Sequence, residues 1–167
     1  MVKDQTRRDE LRQRYQLVLQ SLVENFGQRL KWVVLFGSQA RGEARPESDH
    51  DLFIVVEDLP LEPLARQRSV RIVLLPILAD LPGAINFVAK RPDEVAANLT
   101  PLLVEVCVDG ICLYGESHFQ PYRQKALVAL RQAGLRRHKL SNSTMWLFPH
   151  LPIGNWELSW EGYRESV

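Results

Sequence analysis

The sequence predicts an α+β (mixed α/β) fold in which one small mixed sheet is flanked by helices. Two features lead there. Stretches with apolar residues at helical spacing alternate with short β-branched and aromatic runs, in the order helix, strand, helix, strand, helix, strand. At 167 residues, 46% of them apolar and 25% charged, the chain is composed like an ordinary globular domain and is long enough to bury a core.

From Asp4 to Phe26, the apolar residues Leu11, Tyr15, Val18, Leu19, Leu22 and Phe26 recur among Arg, Gln and Glu as the stripe of one amphipathic helix, which Gly27 ends. Lys31 to Phe36 is a β-branched and aromatic run short enough for a buried strand, and it stops on Gly37. Ser38 to Ser48 is polar and reads as a loop or short helix. Asp49 to Val56 is the next strand. Leu61 to Ala79 has helical spacing through Leu64, Ile72, Leu75 and Leu78, with Pro76 dividing it. Ala84 to Ala89 is a third strand. Pro92-Asp93-Glu94 opens a helix with acids in its first turn, and Thr100-Pro101 is a cap and first-turn pair for another. Ile111 to Tyr114 adds a short strand, and Gln120 to Ala133 is a last helix stopped by Gly134. The division expected is a domain over residues 1–134 and an aromatic-rich tail over 135–167, packed on that domain or extending it.

Charge and cysteine content narrow the classes of function. Twenty-one Lys and Arg against twenty Asp and Glu leave a net charge of +1, without the global electrostatic footprint of a nucleic-acid or membrane-surface binder. Any anionic ligand must be held locally. The two cysteines, Cys107 and Cys112, lie in apolar runs without metal-ligand spacing and read as reduced thiols of a cytoplasmic protein. No apolar run reaches the length that spans a bilayer.

The informative stretch is Gly37-Ser38-Gln39-Ala40-Arg41-Gly42-Glu43-Ala44-Arg45-Pro46-Glu47-Ser48-Asp49-His50-Asp51-Leu52. A strand that ends in Gly-Ser and turns straight into a helix presents unpaired backbone N–H groups and the positive end of a dipole, which suits a triphosphate. Asp49 and Asp51 stand two apart at a strand start. Their carboxylates therefore share a face, while His50 and Leu52 point the other way. Two carboxylates on one face form a hard oxygen site for Mg²⁺, the ion that phosphoryl transfer uses to hold a triphosphate and neutralise the leaving pyrophosphate. Ser48 reads as a turn or cap residue, and His50 as packed.

The string resembles the minimal nucleotidyltransferases of the DNA polymerase beta superfamily, whose signature runs Gly-Ser, a short helix with Ala-Arg-Gly, then Ser-Asp-x-Asp-Leu on the next strand. The resemblance is close from Val33 to Val56 and continues to about Gly115. It implies that Gly37 and Ser38 bind phosphate and that Asp49 and Asp51 are the catalytic metal ligands. Arg41 matches an arginine of the short helix; it can touch the nucleotide, or form an ion pair with Glu43, Glu47 or Asp49. The implied chemistry is transfer of a nucleoside monophosphate, AMP first, from an NTP with Mg²⁺ to a protein or small-molecule hydroxyl. Proteins resembling this one often act as antitoxins that adenylylate a small helical partner of the HEPN type.

The third strand departs from the pattern. Relatives commonly carry a third acid there, which completes the metal site and helps deprotonate the acceptor; in this chain the position falls on Asn86. An amide can lend a metal one neutral oxygen but offers no charge and no useful base. Glu57, Asp80, Asp93 and Glu105 are the acids that could replace it. Two further readings follow: a pseudoenzyme that binds nucleotide or partner without turnover, and an antibiotic-type nucleotidyltransferase. In the tail, Trp146, Phe148, Trp156 and Trp160 read as a small sheet capping the core or as a partner surface.

Overall fold

A computed structural model of the chain describes residues 2–81, 83–140 and 144–166, with side chains from Thr6 onward. Its centre is a four-stranded sheet in the order β3-β2-β1-β4. The strands are β1 (Leu30–Phe36), β2 (His50–Val56), β3 (Ile85–Lys90) and β4 (Ile111–Tyr114). β1 runs antiparallel to β2 and to β4, whereas β2 and β3 are parallel. The parallel pair requires a crossover, which α4 (Pro63–Leu74) supplies.

Both faces of the sheet are covered, which is why its central strands read as continuous apolar runs. Side-chain alternation sends Val33, Leu35, Leu52, Ile54 and Val56 to one face, where α2 (Gln16–Phe26) and α4 deliver Val18, Leu22, Val70 and Leu74. Trp32, Val34, Phe53 and Val55 go to the other. There they meet α5 (Pro92–Ala97), α6 (Pro101–Asp109) and α7 (Glu116–Gln132). Trp32 is the centre of that second layer, stacked on Phe53 with ring centroids 5.2 Å apart. Cys107 and Cys112 are buried free thiols in the same layer.

Four details differ from the sequence reading. The single helix expected from Asp4 divides into α1 (Val2–Arg14) and α2 at Tyr15, whose ψ of 15° leaves the helical range. Tyr15 is fully buried, so the kink turns a large side chain inward. The segment from Leu61 enters α4 only at Pro63, where Glu62 caps Leu64 and Ala65, and tightens to a 3₁₀ turn over Leu75–Asp80 around Pro76. The last helix begins at Glu116, not Gln120, because Gly115 provides the left-handed entry and Pro121 is tolerated inside. The aromatic tail forms two separate hairpins, β5 (Arg136–Lys139) with β6 (Thr144–Leu147) and β7 (Asn155–Ser159) with β8 (Gly162–Ser166). Pro149 and Pro152 in the connecting segment lack the N–H that a continuous ladder needs. Trp160, at the tip of the second hairpin, is buried against α7 and donates its indole N–H to the Val95 carbonyl at 2.8 Å. Trp156 stays half exposed.

Candidate active site

The sheet register assembles the candidate residues. Phe36, the last residue of β1, is paired with Asp51 near the start of β2, and Asp51 is paired in turn with Asn86 near the start of β3. Gly37 therefore leaves its strand beside the Asp51 carboxylate. Its φ is +70°, and a Cβ placed there would lie 2.5 Å from Asp51 Oδ2. Only glycine fits, both by conformation and by space. The chain then winds into α3 (Gly37–Arg41), whose first turn has no side-chain cap. Its leading N–H groups are left without intrahelical partners. Gly42, left-handed at φ 72°, ends the helix, and Arg7 of α1 holds its last turn by donating to the Ala40 carbonyl at 2.8 Å.

Asp51 shares the sheet face of Phe53 and Val55, so the acids look toward the α6 layer. Asn86 Nδ2 donates to Asp49 Oδ2 at 2.9 Å. Burial pushes the Asp51 carboxyl above the usual carboxylate range; Asn86 pulls it down, and the negative charges of Asp49 and Glu105 push it up again. A charged carboxylate beside other acids in a partly desolvated place is the electrostatic condition that a cation relieves. Two carboxylates with hard oxygens suit Mg²⁺, which commonly takes one or two protein acids and completes its shell with phosphate and water. Among the described residues no group of three His, Cys, Asp or Glu converges to hold a metal ion.

Arg41 is ion-paired. It reaches Glu43 at 2.9 Å, as the sequence suggested, but its second partner is Glu105 of α6 at 2.8 Å rather than Glu47 or Asp49. Glu105 lies 64 residues away in sequence, and no local pattern announces the pair. Glu105 thus reaches the site from α6, pairing with Arg41 while its charge acts on Asp51. Glu57 is bound to Lys31 at 2.9 Å beyond the far end of β2, and Asp93 to Arg91 in the first turn of α5. Asp80 closes the 3₁₀ turn. The sheet neighbour of Asp51 on β3 is the amide. Ser48 accepts the Arg45 N–H in a turn. Beside Arg41 a cavity of about 440 Å³ opens between α6 and the β5–β6 hairpin, with Glu105, Arg137 and Trp146 in its walls.

His50 points into the opposite layer and is buried. Its Nδ1 lies 2.5 Å from the Tyr15 hydroxyl. Burial lowers the pKa of the imidazole and raises that of the phenol to about 12, so both shifts favour the neutral forms. Sequence reasoning placed His50 in the core but missed its partner, which stands 35 residues earlier.

Known proteins resemble the chain in sequence and in fold. A Methanocaldococcus jannaschii protein named "Putative protein adenylyltransferase MJ1305" is 28% identical over 102 residues, 60% of this chain and 69% of that protein. A crystal structure of a toxin-antitoxin with AMP-PNP superposes with a TM-score of 0.50 at 19% identity, covering 70% of this chain and 87% of that one. The complex of tri-AMPylated Shewanella oneidensis HEPN toxin with MNT antitoxin gives a TM-score of 0.48 at 18% identity, over 72% and 87%. The nucleotidyltransferase domain family matches residues 16–100, from α2 through β3 to Thr100, and the chain belongs to that family.

Proposed function

We propose that the chain transfers AMP from ATP to a hydroxyl of a protein acceptor. The observation that carries this reading is the contact between the Gly37 turn and Asp51, which brings the backbone donors of a phosphate site against the carboxylates of a metal site. Gly37 and Ser38 bind the triphosphate through N–H groups, with Arg41 at the other end of the short helix. Asp49 and Asp51 would hold Mg²⁺, which would neutralise charge on the triphosphate and on the leaving pyrophosphate. The acceptor oxygen attacks the α-phosphorus, and the bond to the β-phosphate oxygen breaks. With an amide at position 86, the acceptor's proton passes to one of the same two carboxylates. Adenine as the base and a protein as the acceptor are supported by the name of the archaeal relative and by the ATP analogue in the structural neighbour. A small helical HEPN-type protein is the acceptor we propose.

The test is Asp49→Asn with Asp51→Asn, titrated with Mg²⁺ and ATP by calorimetry. Mg²⁺-dependent binding is expected to disappear while the fold persists, since acids at a strand start contribute little to the core. Undiminished binding would remove the metal assignment. Asn86 favours a second reading, a nucleotide-binding protein without turnover. Incubation with labelled ATP, Mg²⁺ and the acceptor separates the two: a covalent AMP adduct marks the enzyme.

A further inference from the structure

The outer side of α4 is unusual for a surface helix. Leu64, Arg68, Ile72 and Leu75 follow one another at spacings of four, four and three residues, a single line along a helix of 3.6 residues per turn. Leu61 lies before the helix and Leu78 in the 3₁₀ turn after it. Leu61 is 75% exposed, Leu64 78%, Ile72 63%, Leu75 59% and Leu78 39%. Scattered exposed aliphatic residues are ordinary, but three along one helical line with two more beyond its ends concentrate apolar surface of the kind that marks an interface. From Leu64 to Leu75 the patch is about 16 Å long, three helical turns.

Charge decides what can cover it. Arg68 stands in the middle of the stripe with no ion pair or hydrogen bond among the described residues, and Arg71 lies beside it with its guanidinium over the Phe87 ring, 5.9 Å from the centroid. The acids of this segment sit at its ends. Glu62 is occupied by the Leu64 and Ala65 N–H groups at 3.0 and 2.6 Å, and Asp80 closes the far 3₁₀ turn. A second copy of this chain is a poor occupant. An antiparallel pairing that overlaps the whole stripe sets Leu64 on Leu75 and Arg68 on Arg71, and a parallel pairing sets Arg68 on Arg68. Both bring like charges together in an apolar contact, which opposes association.

We propose that this face docks one amphipathic helix of a different protein, with aliphatic side chains at matching spacing and carboxylates that meet Arg68 and Arg71. The stripe belongs to the layer opposite the one that Asp49 and Asp51 face, so the docked helix leaves those acids open. The proposal is independent of whether the chain transfers AMP.

Two fluorescein-labelled synthetic helices test it against the full chain by fluorescence anisotropy at low salt. Both carry Leu at spacings of four, four and three; one is flanked by Glu, the other by Lys. The Glu helix should bind roughly tenfold or more tightly than the Lys helix. Ile72→Gln should weaken it by a similar factor, and Arg68→Glu should invert the preference. Because these side chains are exposed, the variants should keep the wild-type circular dichroism melting curve; if one does not, the two helices on the wild-type chain still decide. Equal binding of both helices, no binding of either, or indifference to Ile72→Gln overturns the proposal. So does a dimer in sedimentation velocity that Ile72→Gln dissolves, since that gives the face to a second copy.

Discussion

Asn86 turns its side-chain amide onto Asp49, Nδ2 donating to Oδ2 at 2.9 Å, and the sheet register sets the same residue opposite Asp51. In the function proposed above, a donor thus occupies the position of the third acid. Asn86→Asp replaces a hydrogen bond with a third negative charge, which disfavours the metal-free site and favours a divalent cation. It also adds a group able to take the acceptor's proton. Adduct formation, read by mass spectrometry with Mg²⁺ or Mn²⁺, should rise on the order of a hundredfold. A wild type that transfers well and is unchanged or damaged by the substitution would tell against Asn86 as the missing acid's position.

Gly37→Val meets two obstacles, a left-handed φ of +70° and the Asp51 carboxylate 2.5 Å from the new Cβ. The turn must open, moving both its N–H groups and Asp51. All four NTPs should lose affinity to a similar degree, because the contact ignores the base. Calorimetry with each NTP checks this, and a loss confined to one nucleotide would point to base recognition instead.

Tyr15→Phe removes one half of a buried hydrogen-bonded pair and leaves His50 Nδ1 without its partner. The expected loss of stability is about 1–3 kcal/mol, measured by urea unfolding. Replacing both residues, Tyr15→Phe with His50→Leu, should recover part of that loss, because an apolar pair leaves no unsatisfied group. A double variant less stable than the single one would show that the imidazole contributes by packing.

Burial pushes the thiols of Cys107 and Cys112 up to about 12. Both groups are neutral in the folded and unfolded chains at pH 7, so their contribution is fully present there. As pH rises past the ordinary thiol value of about 8.5, the unfolded chain ionises first, and stability is lost progressively until the folded thiols ionise near 12. At pH 8, alkylation by iodoacetamide should be slow in the folded protein and fast in urea. Rapid modification without unfolding would contradict the burial.

The local signals of the chain determined the sheet's four strands, most of the helices and the motif itself. Apolar spacing, Gly37, the Thr100-Pro101 pair and the Asp49–Asp51 alternation are read over a few residues, where backbone geometry alone dictates the outcome. The same alternation foretold that His50 would face away from the acids. Partners distant in sequence depended on the tertiary structure: Glu105 for Arg41, Tyr15 for His50, and the register that sets Asn86 beside Asp51. Those pairings follow from how helices and strands pack. The apolar stripe of α4 was visible as spacing too, and the sequence assigned it to a helix. That its outer half faces solvent was decided only when the sheet took Val70 and Leu74, because one face of a helix suffices to cover β2 and β3 and the other is left over.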